Sequence, residues 1–396
     1  MRSSAFAIAT ALFLAGCQDA SNPAQPQSEA PSATALAGIA AGQYIVVFQT
    51  TVPDPAALAQ SLVRTHGGSL LHTYTSALTG FAARLPAAAV EALRRNPLVA
   101  YVEPDQIVEA DGTEAMDANG DPWGLDRIDQ QTLPLSGTYT YTSTGAGVNA
   151  YIIDTGIWTF DSEFGGRADD VYDAVTLNLL GGGTGEDCNG HGTHVAGTVG
   201  SATYGVAKGV FLHGVRVLNC AGLGFISDVI SGVDWVTANH RSPAVANMSL
   251  GGSSSAALNT AVTNLWNSGV FLAVAAGNDN ADACGTSPAG ATAVFTVAAS
   301  DKTDAKASFS NWGSCVDAYA PGVNIKSTWL LDQTMTLSGT SMATPHVTGV
   351  AALLKATYGD HPSDDIANWI TSNATSGVIS GSPSGTPNLL LFKSTL

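Results

Sequence analysis

The sequence predicts an α/β protein with a mainly parallel sheet and helices on both faces, preceded by a small α+β unit. Three observations carry this. Residues 43–103 alternate short strand and helix patterns in the order β-α-β-β-α-β. From Trp123 onward, mostly apolar runs alternate with amphipathic segments, as a parallel sheet covered on both faces requires. Only 12% of the 396 residues are charged, 45% are hydrophobic and 43 are glycine, which suits a compact chain with many tight turns rather than a disordered one.

The N-terminus reads as an export signal over residues 1–17. Arg2 supplies a positive start, and Ala5 to Ala15 is an apolar run too short to span a membrane permanently. It ends in Leu14-Ala15-Gly16-Cys17, which resembles a bacterial lipobox and implies cleavage before Cys17 with lipid on its sulfur. The plain alternative is an ordinary signal peptide with an incidental cysteine. Residues 18–41, rich in Ala, Ser, Pro and Gln, read as a flexible tether.

The small unit covers residues 42–108. Gln43 to Phe48 reads as a strand, Pro55 to His66 as a helix and Leu70 to Tyr74 as a strand. Gly80 to Leu85 is a third strand, Pro86 to Arg95 a helix opened by proline, and Val99 to Glu103 a last strand. This is the ferredoxin-like order. About 60 residues make a marginal core alone. Such a unit could bind a ligand; ahead of a larger domain it reads better as a folding assistant and inhibitor. Residues 109–121, within the polar stretch Val108 to Asp121, carry Asp111-Gly112 and Asn119-Gly120 turn signals and read as a linker that is cut.

The large unit covers residues 122–396. Val148 to Ile153, Val270 to Ala275 and Ala293 to Ala298 read as buried strands. Asp228 to Asn239 and Ala256 to Ser268 read as amphipathic helices, and Thr344 to Tyr358 is apolar nearly all round, as a buried helix must be. The net charge is −17, and from Ala118 onward 22 acidic residues face 10 basic ones. That balance disfavours nucleic acid and offers carboxylates to hard cations such as calcium. Five cysteines is an odd number for an exported chain. Setting Cys17 aside leaves Cys188, Cys220, Cys284 and Cys315, enough for two bridges in any of three pairings. A zinc site competes, but no Cys-x-x-Cys pair exists.

Four blocks hold candidate chemistry. Asp154 follows the strand ending at Ile153, where active groups of open parallel sheets gather. His191 lies in Asn189-Gly190-His191-Gly192-Thr193-His194, ahead of a small-residue run that suits a packed helix. His194 sits one turn on, but the pair lacks the spacing and glutamate of a His-Glu-x-x-His metal site, so His194 reads as a buried, hydrogen-bonded neighbour. Ser341 opens the apolar helix, where the helix dipole favours negative charge on its oxygen. Position 343 is Ala, so the Gly-x-Ser-x-Gly elbow of an α/β-hydrolase fails. Asn278, after the strand Val270 to Ala275, offers an amide to a developing oxyanion. A serine hydroxyl needs a base, and the base needs a third group to hold its tautomer; these blocks supply each part.

At these residues the chain resembles subtilases, within them the proteinase K and aqualysin branch. The resemblance runs from about Trp123 to near Leu391 and is most specific at Asn189 to Gly197, Asn247 to Gly252, Ala275 to Asn278 and Gly339 to Gly349. Residues 43–108 resemble the inhibitor-type propeptide of the same family. The resemblance implies a subtilisin-like fold and a secreted, self-cleaving serine endopeptidase acting on proteins and peptides as a monomer, with its own propeptide as intramolecular inhibitor. Ser341 is the implied nucleophile, His191 the base, Asp154 its orienting partner, and Asn278 with the Ser341 N–H the oxyanion donors. Substrate is expected to lie extended between Gly222-Leu223-Gly224 and Ser249-Leu250-Gly251. Ala275, Ala276 and Gly277 are expected to line the primary pocket. Small wall residues and no wall Asp predict tolerance of apolar and aromatic side chains. The resemblance also implies the pairing Cys188–Cys220 and Cys284–Cys315, each bridge contributing roughly 3–4 kcal/mol in the chain-entropy model. A structural calcium is implied on Asp317 with the carbonyls of Val294 and Thr292. A second calcium on Asp126, Asp129 and Gln130 meets Ser136 and Thr138 where further carboxylates are needed.

Overall fold

The computed structural model describes residues 40–50, 52–110, 113–114, 122–176 and 185–396. The signal with Cys17, nearly all of the tether, and most of the linker expected at 109–121 lie outside the described residues.

The small unit has strands β1 (Gln43–Phe48), β2 (Ser69–Tyr74), β3 (Gly80–Arg84) and β4 (Val99–Pro104), with helices α1 (Pro55–His66) and α2 (Ala87–Arg94). The strand order is β2-β3-β1-β4, all antiparallel. Local signals set α1: the Asp54 carboxylate accepts from the Ala57 N–H, Pro55 takes the first helical position, and Gly67 closes the helix at φ 74°. Successive residues of β1 point to opposite faces. Val46 and Phe48 pack with Ala59, Val63, Val90 and Leu93 of the unit's own helices. Ile45 and Val47 join the core of the large unit instead.

The large unit is built on a nine-stranded sheet of order β19-β20-β16-β15-β13-β11-β7-β9-β8, whose outer strands are β8 (Ala168–Asp173), β19 (Thr375–Ser376) and β20 (Leu389–Leu390); it is parallel except for the pair β19–β20. Its centre comprises β7 (Asn149–Asp154), β9 (Phe211–Arg216), β11 (Ala244–Met248), β13 (Phe271–Ala275), β15 (Phe295–Ser300) and β16 (Ala318–Pro321). Strands β7, β11, β13, β15 and β16 are buried along their whole length, as their mostly apolar runs suit. Helix α3 (Trp123–Ile128) packs on β16. Helices α4 (His191–Gly200) and α7 (Thr340–Tyr358) pack on each other and on the sheet. Helices α5 (Ile226–Asn239) and α6 (Ala256–Asn267) form a second packed pair that also meets the sheet. The bridges Cys188–Cys220 and Cys284–Cys315 are both formed, closing separations of 32 and 31 residues.

Two expectations are corrected. The segment read as a linker from Val108 opens with strand: β5 (Ile107–Ala110) and the two-residue β6 (Thr113–Glu114). Polar turn signals do not prevent this, because the ladder partners come from the large unit. Helix α7 begins at Thr340, ahead of the apolar run from Thr344 and one residue before Ser341, the residue expected to open the helix, which lies in its first turn.

Candidate active site

Asp154 is the last residue of β7 and is fully buried. Its neighbours in the sheet are β9 on one side and β11 on the other. The chain after β7 builds one flank and returns to build the other, so the carboxyl end of β7 is a switch point, where open α/β sheets form crevices. Asp154 Oδ1 lies 2.8 Å from His191 Nδ1 and also accepts from the Thr155 N–H at 2.7 Å.

His191 is the first residue of α4. The backbone around it is packed too tightly for side chains. A Cβ on Gly192 would sit 2.2 Å from the Gly156 carbonyl oxygen, and one on Gly190, at φ 106°, would sit 2.3 Å from the Trp329 ring. The Asp187 carboxylate organises the turn into the helix. One oxygen accepts from the N–H groups of Asn189 and Gly190, the other from the Thr193 N–H and hydroxyl. The Thr155 hydroxyl accepts from the Gly192 N–H. His194 is fully buried, and burial lowers its pKa to about 3, so the ring is neutral. Its Nε2 lies 3.0 Å from the Ile325 carbonyl and 3.2 Å from that of Met335, in β17 (Ile325–Trp329) and β18 (Gln333–Ser338). It is the structural histidine that the spacing predicts.

Ser341 is buried at the start of α7, the helix packed against α4. Its hydroxyl donates to the Ser249 carbonyl at 3.0 Å, and the Ser249 hydroxyl donates back to the Ser341 carbonyl at 2.8 Å. Asn247 Nδ2 holds the Ser249 hydroxyl. Asn278 is tied to the residue before the serine: its Oδ1 accepts from the Thr340 N–H and hydroxyl at 2.9 and 3.0 Å. Those two donors fix which end of the amide is oxygen, leaving the NH₂ for another acceptor. Gly277, at φ 101°, has no room for a Cβ, which would meet Asn311 Nδ2 at 2.4 Å. Asn311 closes this turn by donating to the Ala276 carbonyl and accepting from the N–H groups of Asp279 and Ala281.

The cleft is lined by β10 (Leu223–Phe225) and β12 (Leu250–Ser253), with β5 inserted antiparallel between them. Leu223 faces Glu109, Gly224 faces Val108, Leu250 faces Ala110 and Gly251 faces Glu109, while the Ala110 N–H donates to the Gly222 carbonyl at 2.9 Å. Five of the six expected cleft residues therefore meet an extended strand of the chain itself. Ser249 does not join that ladder; it holds Ser341. Beyond the cleft lies a cavity of about 340 Å³ lined by Gly251, Gly252, Ala275, Ala276 and Gly277, with Thr286 and Ser287. The expectation that no Asp marks this wall is corrected: Asp279, brought round by the turn that Asn311 holds, lines the cavity as well.

Among the described residues no three His, Cys, Asp or Glu side chains gather as a metal group. Asp317 Oδ2 accepts from the Thr296 N–H at 2.7 Å, and burial raises the carboxyl pKa to about 6. Asp126 accepts from the Ser136 N–H and hydroxyl and from the Gly137 N–H. Asp129 accepts from the Thr140 N–H and hydroxyl. Asp126, Asp129 and Asp317 thus each accept at least one backbone N–H.

The residues that organise the site without bearing its chemistry are Thr155, Asp187, Asn311 and Thr340. Asp187 had a local signal, a carboxylate just ahead of a helix start. Asn311 had none, because its partners at Ala276 to Ala281 lie about 30 residues away.

Comparison with known proteins gives the family. The subtilase family profile matches residues 145–388, and the peptidase inhibitor I9 profile matches residues 43–111. The extracellular serine proteinase of Thermus sp. (strain Rt41A) is 48% identical over 96% of this chain and 96% of its own length. Proteinase R of Parengyodontium album is 42% identical over 93% of each. Among solved structures, a cold adapted subtilisin-like serine proteinase is 51% identical with a TM-score of 0.66, covering 68% of this chain and 97% of that one. The chain belongs to the subtilase family: it is a subtilisin-like extracellular serine endopeptidase carrying an I9-type propeptide.

Proposed function

We propose that this endopeptidase works through Ser341, His191 and Asp154, is made as a self-cleaving precursor, and accepts apolar and aromatic side chains in its primary pocket. Ser341 Oγ attacks the peptide carbonyl as His191 takes its proton; the same proton then goes to the leaving amine, and the acyl group stays on Oγ. Water, deprotonated by His191, releases the acyl group. The buried Asp154 carboxylate holds the ring by Nδ1 and stabilises the imidazolium that forms. The Asn278 amide and the Ser341 N–H donate to the oxyanion, and Thr340 holds the amide the right way round for this.

The observation that carries the reading is β5. An extended segment of the chain fills the strand position between β10 and β12, beside the residues assigned to catalysis. A substrate binding by strand addition takes that position, so the segment acts as bound substrate before cleavage and as inhibitor after it. The expected domain limits follow: propeptide 42–108, processing within 109–121, peptidase 122–396. Ser341→Ala should remain an unprocessed precursor and lose about 10⁶ in kcat on casein. Normal processing of that variant would end the self-cleavage reading.

Two finer points belong to this proposal. Asp317, with backbone carbonyls of Val294 and Thr292, offers the oxygen donors calcium takes, and a cation would keep ionised a carboxyl that burial disfavours. Chelation should lower Tm, and Asp317→Asn should abolish that response. If Cys17 carries lipid, processing frees the peptidase from the membrane; a secreted form that retains lipidated Cys17 in its intact mass would contradict this.

A further inference from the structure

Two short strands of the chain approach Ser341 from opposite sides. β5 ends at Ala110 in one sheet, between β10 and β12, and β6 begins at Thr113 in another, beside β18. The chain changes sheets within two residues, Asp111 and Gly112, which form the first of its two Asp/Asn-Gly turn signals. The conformational freedom of glycine suits so abrupt a passage. Both ladders point at the nucleophile. On the β5 side Gly251 pairs with Glu109 and Leu250 with Ala110. The next residue of that wall is Ser249, whose carbonyl accepts from the Ser341 hydroxyl at 3.0 Å. The opposite wall agrees, since Leu223 pairs with Glu109 and the Gly222 carbonyl accepts from the Ala110 N–H. On the β6 side Glu114 pairs with Leu337 and Thr113 with Ser338. The next residue of that strand's chain is Gly339, the N-cap of α7, just ahead of Thr340 and Ser341. One further step along each antiparallel ladder therefore reaches Ser341: from β5 that step is position 111, from β6 position 112.

We propose that the bond hydrolysed in self-processing is Asp111–Gly112. The inference rests on the self-cleavage reading above and narrows it from a segment to one bond. Ser341 Oγ bonds to the Asp111 carbonyl carbon, the C–N bond to Gly112 breaks, and His191 passes the serine proton to the Gly112 nitrogen. Water then adds to the same carbon, the bond to Oγ breaks, and the proton that His191 takes from the water returns to Oγ. Asp111 becomes the last residue of the propeptide and Gly112 the first of the peptidase. β5 stays with the propeptide as inhibitor, and β6 goes with the peptidase.

The test is to refold the full chain and read the earliest fragments by N-terminal sequencing and tandem mass spectrometry. The first peptidase should begin at Gly112, and the first propeptide fragment should end at Asp111. Gly112→Pro removes the N–H at the cut bond and fixes φ there, so it should leave the precursor uncut over the time in which the wild type is processed. Met116→Pro, four residues on, should be processed at the wild-type rate. A first cut at any other bond overturns this proposal and leaves self-cleavage standing, and so does processing of Gly112→Pro at the wild-type rate. A wild-type precursor that is never cut, or a Ser341→Ala precursor that is cut normally, overturns both.

Discussion

The nine-stranded sheet and the four-stranded sheet of the small unit solve the same problem differently. Both contain strands with apolar residues on both faces. The nine-stranded sheet is covered by its own helices, α4 and α7 as one packed pair, α5 and α6 as another. The four-stranded sheet covers only one face itself, with α1 and α2 over Val46, Phe48 and Phe81. Its other face, with Ile45, Val47, Tyr74, Leu78 and Ala82, is buried in the core of the large unit. The large sheet is self-sufficient; the small one is finished by a surface it does not own.

Polar groups at that shared surface are matched one by one. Asp234 of α5 accepts from the N–H groups of Thr75, Ser76, Ala77 and Leu78, turning one carboxylate into a cap for the whole β2–β3 loop. Asn264 of α6 donates to the Ala77 carbonyl. His72 Nε2 lies 2.8 Å from Asp228 Oδ1, and the Tyr74 hydroxyl donates to the Ser227 carbonyl. Asp105 accepts from the Ser227 N–H and hydroxyl at the start of α5.

The largest expected effect comes from separating the halves. A peptide of residues 42–110 alone should show no cooperative thermal transition, since half its apolar surface faces water and its core is of marginal size. It should gain one on mixing with a Ser341→Ala peptidase freed of its own propeptide by active enzyme added in trans, followed by circular dichroism. A sharp transition in the isolated peptide would break the comparison.

Next in size is Asp234→Ala. It removes the acceptor of four backbone N–H groups, two of which, at Ala77 and Leu78, are buried, at a cost of about 2–3 kcal/mol. The inhibition constant of the propeptide peptide should rise about 30- to 150-fold, with the stability of the free peptidase much less affected. An unchanged constant would show that the loop is held by apolar packing alone.

The smallest effect is a pH slope. Burial pushes the Asp105 carboxyl up to about 6 in the assembled protein. Free in solution it returns to the ordinary range near 4. The assembled state therefore takes up a proton, its contribution is present at low pH, and it is lost as pH rises through about 6. Inhibition should tighten about tenfold from pH 7 to pH 5 on this account. Asp105→Asn should remove that part of the slope.

Much of this was legible in the chain. The ends of α1 follow from Asp54, Pro55 and Gly67 within a few residues. The uniform runs of β7, β13 and β15 announce strands buried on both faces. The residues proposed for catalysis stand out because glycines and small residues crowd them, and those glycines are where a Cβ would strike the backbone or a ring. What misled was polarity read locally. The stretch from Val108 looked like a plain linker, yet its first residues form a strand, since the hydrogen bonds that define it belong to β10 and β12 more than 100 residues on. The pocket wall looked free of carboxylates because Asp279 lies past the turn that ends the wall strand, and a contact with Asn311 brings it back.

The sequence by itself determined the order of elements, the family, and the residues on which the proposed chemistry rests, because each depends on neighbours a few positions away. Only the tertiary structure decided the rest. It alone pairs Asp154 with His191 across 37 residues and ties Asn278 to Thr340 across 62. It alone sets β5 in the cleft and gives the small sheet its second face. Those contacts join groups distant in the chain, whose geometry is fixed when the large sheet closes and not before.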